Sequence, residues 1–322
     1  MKGMILVPAV YRKNYVTDRF VCLYNMLKSE LGFDIQFFTD SFEVPRDVEK
    51  VIATTVPHHW SIESIKKLTN LDKSIKLVCF LQDPRVSQTF VGGQRFPKNP
   101  DLGRMLWDKF NVILSISEEK FKEWFPQYIN KFVFFPNYFA PHERYTKLKF
   151  NKSPKLQCLL TGIISGKIPQ VYPLRKFIRD NRDPRKVVYV RSPKSFIKRP
   201  SSAKMKHIYV GDRFAELLHS YFCCVTDSAS KEYNYVLTKR LEISATGSLL
   251  LVDECEDSKK MGFIPYEHYI PITKSNVFSQ IDKCLDNPTG YTKIRKNGMN
   301  FVRQNHSVNN RFELFKKILK DL

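Results

Sequence analysis

Short apolar runs, rich in β-branched and aromatic residues, alternate with amphipathic stretches along the first half of the chain. Residues 4–10 (MILVPAV), 34–39 (DIQFFT), 51–55 (VIATT), 75–81 (IKLVCFL), 111–115 (NVILS) and 131–135 (KFVFF) have the length and composition of strands. Between them, residues 18–31 space Phe20, Leu23, Leu27 and Leu31 three or four positions apart, and residues 62–68 and 118–125 do likewise, as helices with one apolar face require. Strands that are apolar on both faces and alternate with helices predict a parallel sheet covered by helices.

A polar, Lys-rich stretch without periodicity, 142–154 (HERYTKLKFNKSP), interrupts this pattern, which restarts at Leu156. The second half predicts strands at 156–161, 186–190, 207–210, 221–226 and 248–252. Helices are expected near 171–182, 213–219 and 236–245, with three more amphipathic segments after Asn276. The expected organisation is two consecutive Rossmann-like α/β/α domains, 1–145 and 146–322, with the last helix free to pack back on the first. Open sheets of this kind bind ligands beyond the C-terminal ends of their strands, where helix N-termini offer N–H groups to anions. With two such domains, the expected site is the cleft between them.

The 322 residues carry 53 Lys and Arg against 32 Asp and Glu, a net charge of +21, and their 13% aromatic content excludes a disordered basic tail. No run approaches the roughly 20 apolar residues of a bilayer span, and the N-terminal apolar segment is short for a signal peptide. The seven cysteines fall mostly in apolar runs without CxxC spacing. A soluble, cytoplasmic chain with reduced core thiols is expected.

The most informative segment is 235–272, YVLTKRLEISATGSLLLVDECEDSKKMGFIPYEHYIPI. It reads as a helix entered at Thr238 and ended by Gly247 as C-cap, then a fully buried strand at 249–252. Glu242 falls in the first turns of that helix beside Lys239 and Arg240. A carboxylate there can bind vicinal hydroxyls while the basic pair and the helix N-terminus meet a diphosphate. The alternative is that Glu242 pairs with a neighbouring Lys on a solvated face.

TKRLEISATGSLLLVDE resembles the nucleotide-sugar signature of GT-B glycosyltransferases, the family 4 and CgeB-like group, in which Lys, two residues, Glu, a small residue and Gly precede an apolar strand. The resemblance implies that Glu242 holds the ribose and Lys239 approaches the diphosphate. LTGIISGKIPQVYPLRKFI resembles the first strand and helix of the nucleotide-binding domain, with Gly162 at the close backbone approach and Arg175 or Lys167 toward the phosphates. KLVCFLQDP, NVILSIS and FVFFPNYFAP resemble N-terminal-domain strands and place Asp83, Ser117 and Asn137 at the matching positions. Two departures stand out. Asn234 replaces the Glu usually found eight residues before the motif Glu, with Glu232 nearby, and Pro8-Ala9-Val10-Tyr11-Arg12 replaces a Gly-rich first turn.

The resemblance implies a transferase that moves a sugar from a nucleotide diphosphate to a hydroxyl, on a glycan or glycoprotein oligosaccharide, with retention and inversion of configuration both open to it. No DxD or His/Cys cluster offers a metal, so no cofactor and no magnesium are expected. Lys239, Arg240, Arg175 and Arg191 are then left to neutralise the leaving diphosphate. Asp83, before Pro84, is either a turn carboxylate or an acceptor contact. His58 and His59 follow an apolar strand, where acceptor-side groups occur, and His59 joins Asp83 as a catalytic candidate.

The contrasting class is a non-catalytic binder of an anionic polymer or membrane. The stretch 182–206 holds nine Lys and Arg with Tyr189 and Phe196 interleaved, although a charge run is usually a solvated face and no helix-turn-helix, RNP or zinc pattern accompanies it. A hybrid, an enzyme that glycosylates DNA or a membrane-linked acceptor, would use both features. Oligomeric state is not legible.

Overall fold

The computed structural model describes residues 2–9, 18–39, 41–55, 61–81, 100–162, 164, 172–191, 209, 211–228 and 234–322. The chain divides into two compact units, one built mainly from residues up to Asn137 together with Arg311–Leu322, the other from the stretch between.

The first unit runs β1 (Gly3–Pro8), α1 (Asp18–Leu31), β2 (Asp34–Phe38), β3 (Lys50–Thr55), α2 (Ile62–Thr69), β4 (Lys76–Leu81), α3 (Pro100–Lys109), β5 (Val112–Ser115), α4 (Glu118–Trp124) and β6 (Phe132–Phe134). Its strands form one six-stranded sheet in the order β2-β1-β3-β4-β5-β6, with every pairing parallel. β1 and β4 are buried almost throughout, as continuous apolar runs must be when helices cover both faces. On one side, Trp107 of α3 stacks on Phe125 at 4.6 Å and lies 5.1 Å from Tyr128. α3 is not among the helices expected from the sequence. Its apolar face of Leu102, Leu106 and Trp107 is buried with Phe110 in the core.

The second unit continues with α5 (His142–Thr146), β7 (Lys155–Gly162), α6 (Pro173–Asn181), β8 (Val187–Arg191), α7 (Gly211–His219), β9 (Tyr221–Val225), α8 (Thr238–Ala245), β10 (Leu249–Val252), α9 (Glu256–Lys260), β11 (Ile270–Pro271), α10 (Val277–Asp286) and α11 (Thr292–Asn305). Its five-stranded parallel sheet has the order β11-β10-β9-β7-β8. Of the expected strand at 207–210, only Tyr209 lies among the described residues, and it belongs to no strand. The polar stretch 142–154 is fastened along this unit: Arg303 donates to Leu148 O at 2.8 Å and Arg295 to Asn151 O at 3.0 Å. The same two guanidiniums bond the carbonyls of Ala245 and Gly247 at the end of α8, each at 3.0 Å, where a helix leaves acceptors unsatisfied and favours positive charge.

The last helix, α12 (Val308–Lys320), supplies the closing piece of the first unit. There Phe315 packs 5.4 Å from Phe135 and 5.9 Å from Phe80, and buried Arg311 donates to Pro136 O at 2.5 Å. Six of the seven cysteines are buried and Cys22 is half-buried. Among the described residues, no helix is long and apolar enough to cross a membrane.

Candidate functional site

In the second unit, β7, β8, β9 and β10 all run the same way, so their C-terminal ends share one edge of the sheet. β7 ends at Gly162, whose φ of +115° is a backbone conformation that side chains rarely tolerate. A Cβ there would stand 2.9 Å from Arg175 Nη1 and 3.0 Å from Lys239 Cε. Its partner across the β7–β8 ladder is Arg191, which is exposed. Gly162, Arg175, Arg191 and Lys239, dispersed over 78 positions of sequence, are thus brought together at one strand end.

α8 supplies the rest. Arg240, Leu241, Ile243, Ser244 and Ala245 are buried, whereas Thr238, Lys239 and Glu242 retain exposed surface. Lys239 and Glu242 stand three apart and so share a face. The cap residue, Leu237, has no side chain able to accept from the first turn, so the helix N-terminus opens beside Lys239 with its N–H groups uncapped by a side chain. Lys239 Nζ lies 4.6 Å from the centre of the Phe214 ring, which steers its stem. At the other end, Gly247 takes φ +79° and its N–H bonds Ser244 O at 2.9 Å, the turn that feeds buried β10.

Beneath this surface lies a network of buried charge that sequence reasoning missed. Arg175, 3% exposed, pairs through Nε with Asp227 Oδ1 at 2.8 Å and donates from Nη2 to Thr226 Oγ1 at 3.1 Å; its guanidinium lies 4.2 Å from the Tyr172 ring. Arg240, 1% exposed, donates from Nη2 to Ser228 Oγ at 3.0 Å and to Asp253 O at 2.6 Å, with the rings of Tyr269 and Phe263 at 5.1 and 5.6 Å. Ser228 N–H in turn donates to Asp253 Oδ1 at 2.6 Å. Burial, and then the charge of Asp227, push the Asp253 carboxyl up to about 6. Arg175 and Arg240 are therefore engaged from below, and the candidate cations that keep exposed surface are Lys239 and Arg191. The available signal for the missed residues was the polar triplet Thr226-Asp227-Ser228 ending the apolar run YFCCV.

In the first unit, Ser117 caps α4, accepting from Lys120 N at 3.4 Å, and buried Asn137 donates to Leu81 O at 2.8 Å, so both serve local structure. Asp83, His58, His59, Lys167 and Glu232 lie outside the described residues. Among the described residues, no group of three His, Cys, Asp or Glu is placed to hold a metal ion.

Residues 183–317, which contain α8, Asp227 and Asp253 but not Arg175, match the glycosyl transferase-like family. Solved structures with the same arrangement extend over the whole chain. An α-glucosyltransferase in complex with UDP and a 13-mer DNA superimposes with a TM-score of 0.66 at 14% identity, covering 99% of each chain. Sucrose-phosphate synthase from Thermosynechococcus elongatus gives 0.63 at 10% identity over 100% of this chain and 98% of that one. The chain has the GT-B fold. The GT-B fold also relates it to the DNA-modifying enzyme β-glucosyltransferase, with a TM-score of 0.60 at 14% identity over 100% of both chains. No curated protein matches it in sequence.

Proposed function

We propose that this GT-B protein transfers a sugar from a uridine diphosphate donor to a hydroxyl on a polymeric acceptor. The observation that carries the reading is α8: a helix buried except at Thr238, Lys239 and Glu242, opening its N-terminus beside Gly162. Glu242 binds the ribose hydroxyls. Lys239, Arg191 and the first-turn N–H groups of α8 take the diphosphate, and Thr238 sits at the same helix start. Arg175 and Arg240 act through their buried bonds, holding α6 and α8 against the ends of β9 and β10 so that these groups keep their spacing. The rate then comes from positioning and from stabilising charge that develops on the leaving diphosphate, which these cations do without a metal ion.

Retention of configuration is the proposed outcome. The acceptor oxygen bonds to the anomeric carbon as the bond to the diphosphate breaks, and the departing phosphate oxygen takes the acceptor proton. Asp83 and His59 are the acceptor-side groups in this proposal. Two solved relatives support a UDP donor, being described with UDP or uridine diphosphoglucose, and the same two are described with DNA or as DNA-modifying. A net charge of +21 favours an anionic acceptor polymer over a neutral glycan.

A thermal-shift screen against UDP, GDP, TDP, ADP and CMP tests the donor site. UDP at about a hundred times its dissociation constant adds about 2.7 kcal/mol, visible as a raised melting temperature. The expected result is a shift with UDP that persists in EDTA and disappears in Glu242→Ala without loss of folding. A chain that responds to none of the nucleotides overturns the proposal.

A further inference from the structure

The positive charge of this chain is concentrated. Residues 144–210 hold eighteen Lys and Arg against two Asp, a net +16 of the +21 carried by all 322 residues. Where the structure describes these cations, it separates paired from unpaired. Arg144 and Lys147 reach Asp212, Lys176 and Arg179 reach Asp180, Arg185 reaches Asp183, and Lys186 reaches Asp282. Lys149, Lys152 and Lys155 are exposed and have no carboxylate partner among the described residues, and the same holds for Lys296 on α11.

These four lysines gather at the N-terminal edge of the second unit's sheet. Lys155 opens β7, its N–H bonded to Ser220 O at 2.9 Å just before β9, and its ammonium lies 5.2 Å from the Tyr221 ring. Lys149 and Lys152 flank Asn151, whose side chain is fastened to His219 O at 3.0 Å. Lys296 Nζ lies 5.4 Å from the Phe150 ring, and its neighbour Arg295 bonds Asn151 O, which fixes α11 beside the same segment. The eight residues of β7 separate this edge from Gly162 by about 23 Å, so its lysines take no part in donor binding.

We propose that this edge is a second, remote binding surface that grips the phosphodiester backbone of a nucleic acid. Its function is to hold the polymer whose hydroxyl is modified elsewhere on the protein. Ammonium groups without carboxylate partners give backbone affinity without base specificity. The distance of about 23 Å corresponds to the axial length of about seven base pairs, so an oligonucleotide only a few bases long does not span from this edge to the donor end. An anionic bilayer is the poorer fit. Leu156 is the large aliphatic side chain exposed between these lysines, and one such side chain supplies little of the apolar surface that interfacial anchoring uses.

The test is fluorescence anisotropy with a labelled 20-base-pair duplex over a series of salt concentrations, comparing the wild-type chain with Lys149→Glu/Lys152→Glu/Lys155→Glu/Lys296→Glu. A four-fold Lys→Gln variant separates loss of charge from repulsion. The wild type is expected to bind with a steep salt dependence, and both variants to bind at least 10-fold more weakly. Each lost phosphate contact should also flatten the slope of log K against log salt by about 0.9. The UDP-induced thermal shift should be unchanged in both variants, showing that the fold and donor site are intact. Unchanged DNA affinity and slope in both variants would overturn the proposal, as would wild-type binding to vesicles containing phosphatidylserine with none to the duplex. A wild-type chain that binds DNA in this salt-sensitive way but gives no shift with UDP would leave this surface standing and remove the donor reading.

Discussion

The two ends of the second unit's sheet treat charge in opposite ways. At the C-terminal end, Arg175, Arg240, Asp227 and Asp253 are buried and interlocked with Thr226 and Ser228. At the N-terminal edge, Lys149, Lys152, Lys155 and Lys296 stand in solvent. A buried ion loses several kcal/mol of hydration, and the structure holds it only where partners of fixed geometry replace the water. Such a network therefore fixes distances, as a transfer site needs. Exposed lysines retain their hydration and fix nothing, but their summed field draws in a polyanion. Precision and attraction are built from the same residue classes, and desolvation separates the two uses.

Arg175→Ala is the substitution expected to widen that contrast most. It takes the guanidinium away from Asp227, 1% exposed and close to Asp253, and leaves the backbone N–H of residue 175 on Asp227 Oδ2. Breaking a buried pair in this way costs about 3–5 kcal/mol, whereas a change at an exposed lysine away from any partner falls within about 0.5 kcal/mol. Urea midpoints for Arg175→Ala and Lys152→Ala measure the difference directly. Equal midpoints would mean that the buried network does not hold this end of the sheet together.

The next largest effect is on pH dependence. Asp253 is pushed up from 3.8 to about 6, so the folded chain binds more protons than the unfolded one between those values. Its contribution to stability is present below about pH 4 and is lost as pH rises through 6, a change of at most about 3 kcal/mol. Asp253→Asn keeps an oxygen to accept from Ser228 N–H and cannot ionise. Relative to the wild type, this variant should gain stability from pH 4 to 6 and hold the gain at pH 7.5, measured by urea unfolding at each pH. Parallel pH profiles for the two proteins would show that the carboxyl is not held in its neutral form.

Much of this end of the molecule is legible in the sequence because its signals are local. The start of α8 at Thr238, the turn at Gly247 and the strand 249–252 follow from neighbouring residues, and the structure has them at those positions. The partners of the arginines were not legible. Asp227 lies 52 positions from Arg175, and Asp253 lies 13 from Arg240, so only folding decides that these guanidiniums meet protein oxygens at all. Read along the chain, Arg240 and Lys239 are equivalent cations. In the helix they stand about 100° apart, and Arg240 is buried while Lys239 keeps exposed surface. α3 was missed for a different reason: its first turn follows a Gly- and Pro-containing stretch that reads as loop, and its apolar face is evident only beside Trp107 and its ring partners.

The smallest of these effects, and the one that joins network to surface, is Gly162→Ala. At φ +115° the added methyl is strained whatever space it has, and it would stand 2.9 Å from Arg175 Nη1 and 3.0 Å from Lys239 Cε. The lysine is the flexible end of a long side chain and yields, whereas Arg175 is held by Asp227 and Thr226 and does not. A loss of roughly 1–2 kcal/mol is expected, together with a weaker UDP-induced thermal shift because Lys239 is displaced. The double variant Gly162→Ala/Arg175→Ala distinguishes strain from clash. If Arg175 is the wall, removing it first relieves part of the methyl's cost, and the two changes sum to less than their separate losses. Full additivity would mean that the backbone angle alone is responsible and that the guanidinium does not shape this strand end.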